Sequence, residues 1–178
     1  MWREAICPVT DAESCAKAVE ALFGASTRDS IIKMYPPSPD ATRMKMTTDA
    51  FCTCQSDKVA RAIVSSGGGP VYRYFFDYVR ENSNNSIAVH SAEIRFLFPW
   101  KSEIPTTRDV AVRDVMTAMW TQMATRGFPT ITGYPEWTPH TASTEAYLHI
   151  GSSVLTTTGP ADAQCRFWAT LPLPWPHL

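Results

Sequence analysis

The sequence predicts an α/β fold on three observations. Val71 to Tyr78 is almost wholly β-branched or aromatic, helix-period segments flank it, and a second strand pair follows the longest of those helices. Strands separated by helices of that length suit a sheet with helices packed on it. At 178 residues, 44% hydrophobic and 19% charged, the chain has the material for one globular domain, 1–178, with 171–178 as an extended Pro-rich tail. A net charge of −1 with both signs scattered excludes a basic field for nucleic acid and a cationic face for anionic lipid. No nucleic acid and no membrane partner is therefore expected. The apolar runs fall short of a span, and MWREAICPVT lacks the positive-then-apolar order of a signal peptide.

Taken in order, Thr10-Asp11-Ala12-Glu13 is a capping box, Thr10 accepting from an orphan backbone N–H while Glu13 reaches back. Cys15, Val19, Leu22 and Phe23 then recur at helical spacing, and Gly24 stops a helix of Asp11 to Phe23. A second short helix spans Ser30 to Tyr35 and ends at Pro36-Pro37-Ser38-Pro39, which cannot continue it. Thr42 to Ser65 forms one or two helices with Met44, Phe51, Val59, Ala60, Ile63 and Val64 as the buried stripe. Gly67-Gly68-Gly69-Pro70 is a turn rather than a phosphate loop, because it follows a helix and no Lys-Ser/Thr comes after it.

Val71 to Trp100 organises the rest. Val71, Tyr72, Tyr74, Phe75, Phe76 and Tyr78 leave no gap for a solvated face, so the strand is expected inside a sheet with both faces covered. Arg80 to Ser86 is a polar surface loop that delivers His90 next to the apolar segment Ile94 to Trp100. His90 thus lies beyond the carboxyl end of a strand, where open α/β sheets place their chemistry. Arg108 to Arg126 is the longest helix, with Val112, Val115, Met116, Met119, Trp120 and Met123 on one core-packing face and Gly127 at its end. Ala146 to Ile150 and Val154 to Thr157 form a hairpin through Gly151-Ser152-Ser153, and a last helix covers Ala161 to Thr170. No Gly-x-Ser-x-Gly pentapeptide occurs, so the chain has no nucleophile elbow.

VYRYFFDY, a loop, then His90-x-x-Glu93 and an aromatic-rich turn resembles the histidine region of the type B carboxylesterases, the cholinesterase-like branch of the α/β-hydrolases. Further segments agree in order. TDAFCTCQSDKVA is similar to that family's Thr-Asp, Phe, Cys-Pro, Ala segment, with Gln55 in place of Pro, and MWTQMATRGFP is similar to its Trp-x-x-Phe-Ala-x-x-Gly-x-Pro, with Met123 in place of Phe. EWTPHTASTEAYLHIG resembles its Trp-Pro segment and following strand, and QCRFW its terminal Cys-x-x-Trp. The likeness covers about residues 25–170 and only the family's C-terminal third. It implies the C-terminal part of an α/β-hydrolase fold, the last sheet strands with their packing helices, as an incomplete domain. Met1 is accordingly expected to be an internal methionine of a longer reading frame, testable in the upstream nucleotide sequence.

His90 is the candidate base. A serine hydroxyl attacking an ester must lose its proton, and a neutral imidazole with a pKa near ~6.5 takes that proton and returns it to the leaving alcohol. By position alone a lone histidine is more often structural; the resemblance places His90 on the family's base position. The serine and the acid precede the matched region, so the chain carries the triad histidine but neither partner. Glu4 and Glu13 are available carboxylates outside the matching motif. Glu93 shares the turn of His90 and, by the resemblance, is a structural carboxylate ordering the histidine loop rather than the triad acid. Phe98, Trp100 and the loop at Asn82 to Asn85 border this region without an assigned role.

Cys52-x-Cys54 with His90 and Glu93 lacks the spacing of a metal set, and no metal or cofactor is expected. The resemblance aligns Cys54 and Cys165 with a disulfide of secreted relatives, worth roughly 4 kcal/mol in the chain-entropy model. In a reducing compartment the same residues are buried thiols, and both readings stay open. Three functions are compatible with these residues. The chain is the C-terminal portion of a carboxylic ester hydrolase, inactive or nearly so alone, with a small-molecule ester as substrate once completed; or a non-catalytic cholinesterase-like binding module; or a small hydrolase pairing Cys54 with His90.

Overall fold

The computed structural model describes residues 12–36, 41–85, 87–98, 105–159 and 162–171. Two compact units divide the chain, Met1–Val59 with Ala161–Leu178, and Ala60–Pro160. Thr10, Glu4, Trp100 and the Pro-rich tail beyond Leu171 lie outside the described residues.

The first unit is helical: α1 (Ala12–Phe23), α2 (Ala25–Met34), α3 (Ala41–Thr48), a π-helical turn (Asp49–Thr53), the start of α4 (Cys54–Ser65) and α7 (Asp162–Trp168). Gly24 adopts φ 84°, so the chain ends α1 and starts α2 at one residue, and the second helix begins five residues before the Ser30 start expected from the sequence. Arg28 bridges back to Glu20 at 2.6 Å across that corner. Glu13 pairs with Lys17 at 2.6 Å, and the capping box expected there rests on Thr10, outside the described residues. Val19, Ile31, Met46, Ala50 and Trp168 form the apolar core.

Within that core, Tyr35 donates its hydroxyl hydrogen to Asp49 at 2.9 Å and accepts from Trp168 Nε1 at 2.9 Å, while Lys45 Nζ lies 2.9 Å from the same carboxylate. Burial, offset in part by the Trp168 bond and reinforced by the Asp49 charge, raises the Tyr35 pKa. These polar residues explain a correction to the expected stripe. Asp49, Thr53 and Asp57 are buried with Ala50 and Ala60, whereas Val59 is 58% and Ile63 38% exposed. An apolar-only pattern skips buried carboxylates, and the π turn, closed by Cys54 N–H on Asp49 O, shifts the phase of α4 by about 100° per extra residue.

Past Ala60, α4 ends at the glycine turn with two paired bonds, Gly68 N–H to Ile63 O and Gly67 N–H to Val64 O, Gly67 sitting at φ 72°. The second unit then sets β1 (Tyr74–Phe76), α5 (Ile94–Leu97), α6 (Thr107–Arg126), β2 (Ala146–Ile150) and β3 (Val154–Thr158). The sheet order is β1-β2-β3, β1 parallel to β2 with Tyr74 opposite Leu148, and β2 antiparallel to β3 through the expected hairpin. Helix α6 opens on a full capping box between Thr106 and Asp109 and closes on Gly127 at φ 78°. Val112, Met116 and Met119 pack with Phe96, Leu148 and Ile150 as the second core. Met123, assigned to the same face, is 40% exposed at the helix end.

The sheet departs from expectation at β1. Only Tyr74 to Phe76 form the strand, it is an edge strand among the described residues, and Tyr74 is 41% exposed. Two bonds end the ladder: Asp77 and Tyr78 both donate to Ile150 O, at 3.0 and 3.2 Å, which uses one acceptor twice and bends the chain out of the sheet. Upstream, Val71 bridges His140 instead of continuing along β2.

Candidate active site

The chain leaving β1 is held before it reaches His90. Tyr78, buried at 3% exposure, donates to Asp109 Oδ1 at 3.1 Å, and Arg80 Nε lies 3.6 Å from Asp109 Oδ2. The same Oδ2 accepts from Thr106 N–H at 2.9 Å. One carboxylate at the start of α6 thus fixes both the helix end and the root of the histidine loop. Burial first, then the Asp109 hydrogen bond and charge, push the Tyr78 pKa up to about 12. The loop turns on Ser83 N–H to Arg80 O, and Ser83 Oγ accepts from Asn85 N–H at 3.1 Å.

His90 stands exposed in the turn before α5, followed by Ser91 at φ 63°, a left-handed conformation uncommon for a residue with a Cβ. Ala92 N–H to Val89 O and Ile94 N–H to Ser91 O close the turn, and Phe96 anchors it in the core 5.6 Å from the Tyr78 ring. A cavity of about 340 Å³ opens between these segments, lined by Tyr78, Arg80, Ser83, Asn85, His90 and Phe96 among others. His90 therefore lines an open cleft. Among the described residues no carboxylate bonds to it.

No bond joins Glu93 to His90 among the described residues; burial first, then the nearby Glu93 carboxylate, raises the Tyr74 pKa. The root of the loop carrying His90 is joined to α6 through Tyr78. Phe98 is 70% exposed just past α5.

A second histidine escaped sequence reasoning. His149 Nε2 lies 2.9 Å from Asp77 Oδ1 at the carboxyl ends of β1 and β2. The signal was Asp77 directly after the strand, but only the register that sets Phe75 opposite His149 brings the pair together. Among the cysteines, Cys54 and Cys165 are bonded, S–S 2.04 Å, and Cys15 is in another disulfide. Cys52 is the free cysteine among the described residues, its thiol pKa raised by burial. No group of three or more metal-ligating side chains occurs, and no helix is long and apolar enough to cross a membrane, among the described residues.

Comparison with known proteins bears on the family and the fold. The profile of the Carboxylesterase family matches residues 16–168. Among solved structures, a "thermophylic PNB esterase" superposes with a TM-score of 0.69 and a "PNB esterase" with 0.70, each 22% identical and covering 89% of this chain. The chain spans 33% of the length of each of those structures. No curated protein gives a match. The chain belongs to the carboxylesterase family, and its α/β architecture is part of the fold that the PNB esterases have.

Proposed function

We propose that this chain carries the histidine base of a carboxylic ester hydrolase whose serine and acid are supplied by sequence it does not contain. The observation that carries the reading is the placement of His90: exposed at the mouth of a cavity, on a turn anchored at both ends, instead of packed within a core. Family membership and the share of the esterase structures that is covered support it. His90 in its neutral form accepts the proton of an attacking serine hydroxyl and returns it to the leaving alkoxide, while a carboxylate on the other ring nitrogen stabilises the imidazolium. Glu93 is a positioning residue that orders the histidine loop, its carboxylate near Tyr74. The substrate is a small-molecule ester, attacked through an acyl-enzyme.

The test is complementation. The chain is co-expressed with the N-terminal two-thirds of a carboxylesterase, and hydrolysis of p-nitrophenyl acetate is measured. Activity that appears only with both parts, and that His90→Ala removes, supports the reading. Co-purified, folded parts that turn over no ester, or turnover indifferent to His90→Ala, would overturn it in favour of a non-catalytic binding module. Turnover by the chain alone that thiol alkylation abolishes would point to a cysteine nucleophile.

A further inference from the structure

Two independent features bear on a modification outside the base position. The first is covalent: Cys54 is bonded to Cys165 and Cys15 is in a second disulfide, and such bonds persist in oxidising compartments such as the secretory route. The second is a tripeptide. Asn84-Asn85-Ser86, in the loop leading to His90, has the Asn-x-Ser order with a residue other than proline in the middle.

We propose that Asn84 is an N-glycosylation site and that its glycan stands at the rim of the His90 cavity. The transferring enzyme needs an asparagine amide that is accessible on non-regular backbone. Asn84 is exposed, lies in a bend outside any helix or strand, and has no hydrogen bond to another described residue. Ser83 and Asn85 line the cavity and Asn84 does not, so a glycan there borders the opening without filling it. In the transfer, Asn84 Nδ2 forms a bond to the anomeric carbon of a lipid-linked oligosaccharide. The bond from that carbon to the lipid diphosphate breaks, the diphosphate leaves with the electron pair, and the amide gives up one proton. None of these steps requires His90 to be a catalytic base.

The chain, expressed behind a secretion leader in a eukaryotic host, is digested with peptide-N-glycosidase and mapped by mass spectrometry. The expected result is a mobility shift on digestion, with conversion Asn84→Asp in the released peptide. Asn84→Gln and Ser86→Ala each abolish the shift, and Asn82→Gln leaves it intact. Transfer takes place during synthesis, so the cell-associated fraction is assayed beside the secreted one and poor secretion does not obscure the outcome. Disulfide-bonded chain with no shift in either fraction would overturn the proposal. Chain from that host with all its thiols open to alkylation would also overturn it, by removing the compartment on which it rests.

Discussion

Asp109 does more than cap a helix, since a 2% exposed carboxylate there serves Thr106, Tyr78 and Arg80 at once. Its loss leaves buried donors unmatched, so Asp109→Ala is expected to cost about 2 to 4 kcal/mol, measured by denaturant unfolding. Tyr78 gives a pH signature with a definite sign. Its pKa is about 12 in the fold and about 10 in the unfolded chain. Below the lower value both states hold the proton and stability is intact. Between the two the unfolded chain alone ionises, so stability falls as pH rises, by about 3 kcal/mol in all, and levels off above the higher value. Tyrosinate absorbance followed against pH should lose this late step in Tyr78→Phe, and Tyr35 shifts with the same sign. None of this was legible from the sequence, where Asp109 and Tyr78 are a helix-start acid and a strand aromatic with nothing to bring them together.

At the level of elements, periodicity was a good guide wherever burial is apolar. Helix α6 and the hairpin β2–β3 stand within a residue of their expected bounds because Val112, Met116 and Met119, and the run from Ala146 to Ile150, bury side chains that hydropathy recognises. It misled where polar groups are buried, as along α4, and where a strand pairs with a segment far along the chain, as β1 does. The β1–β2 end also contains a tight place. A Cβ on Gly151 would run into Asp77 Oδ1 and lie 2.9 Å from His149 Nε2. Both are side-chain tips that can swing away, so the damage is the loss of their mutual bond. Gly151→Ala and Asp77→Asn should each cost about 1 kcal/mol, and the double variant barely more than either, which a double-mutant cycle would show. Strict additivity would mean that Gly151 is constrained by something other than this pair.

For the whole molecule, residue types pointed to the family, and the profile match over residues 16–168 agrees. Position alone could not show that His90 lines a cavity, because the cleft is made by the root of its loop meeting α5. The Cys54–Cys165 bond closes a separation of 111 residues, so its reduction should remove about 4 kcal/mol from the helical unit, seen as a lower denaturant midpoint. Exposed Phe98 and Val59, at 70% and 58%, and the side of β1 that no strand pairs among the described residues are hazards for self-association. Light scattering of the isolated chain should rise with concentration, and Phe98→Glu with Val59→Glu should reduce it without changing the melt; a monodisperse wild-type chain would contradict this. The parallel pairing of Tyr74 with Leu148 has a kinetic consequence. During synthesis β1 leaves the ribosome well before its partner exists, so the sheet cannot zip locally, and its contact order is set by everything in between. Helices should gain protection from hydrogen exchange early in refolding, with Phe75 and Phe76 among the last amides to acquire it.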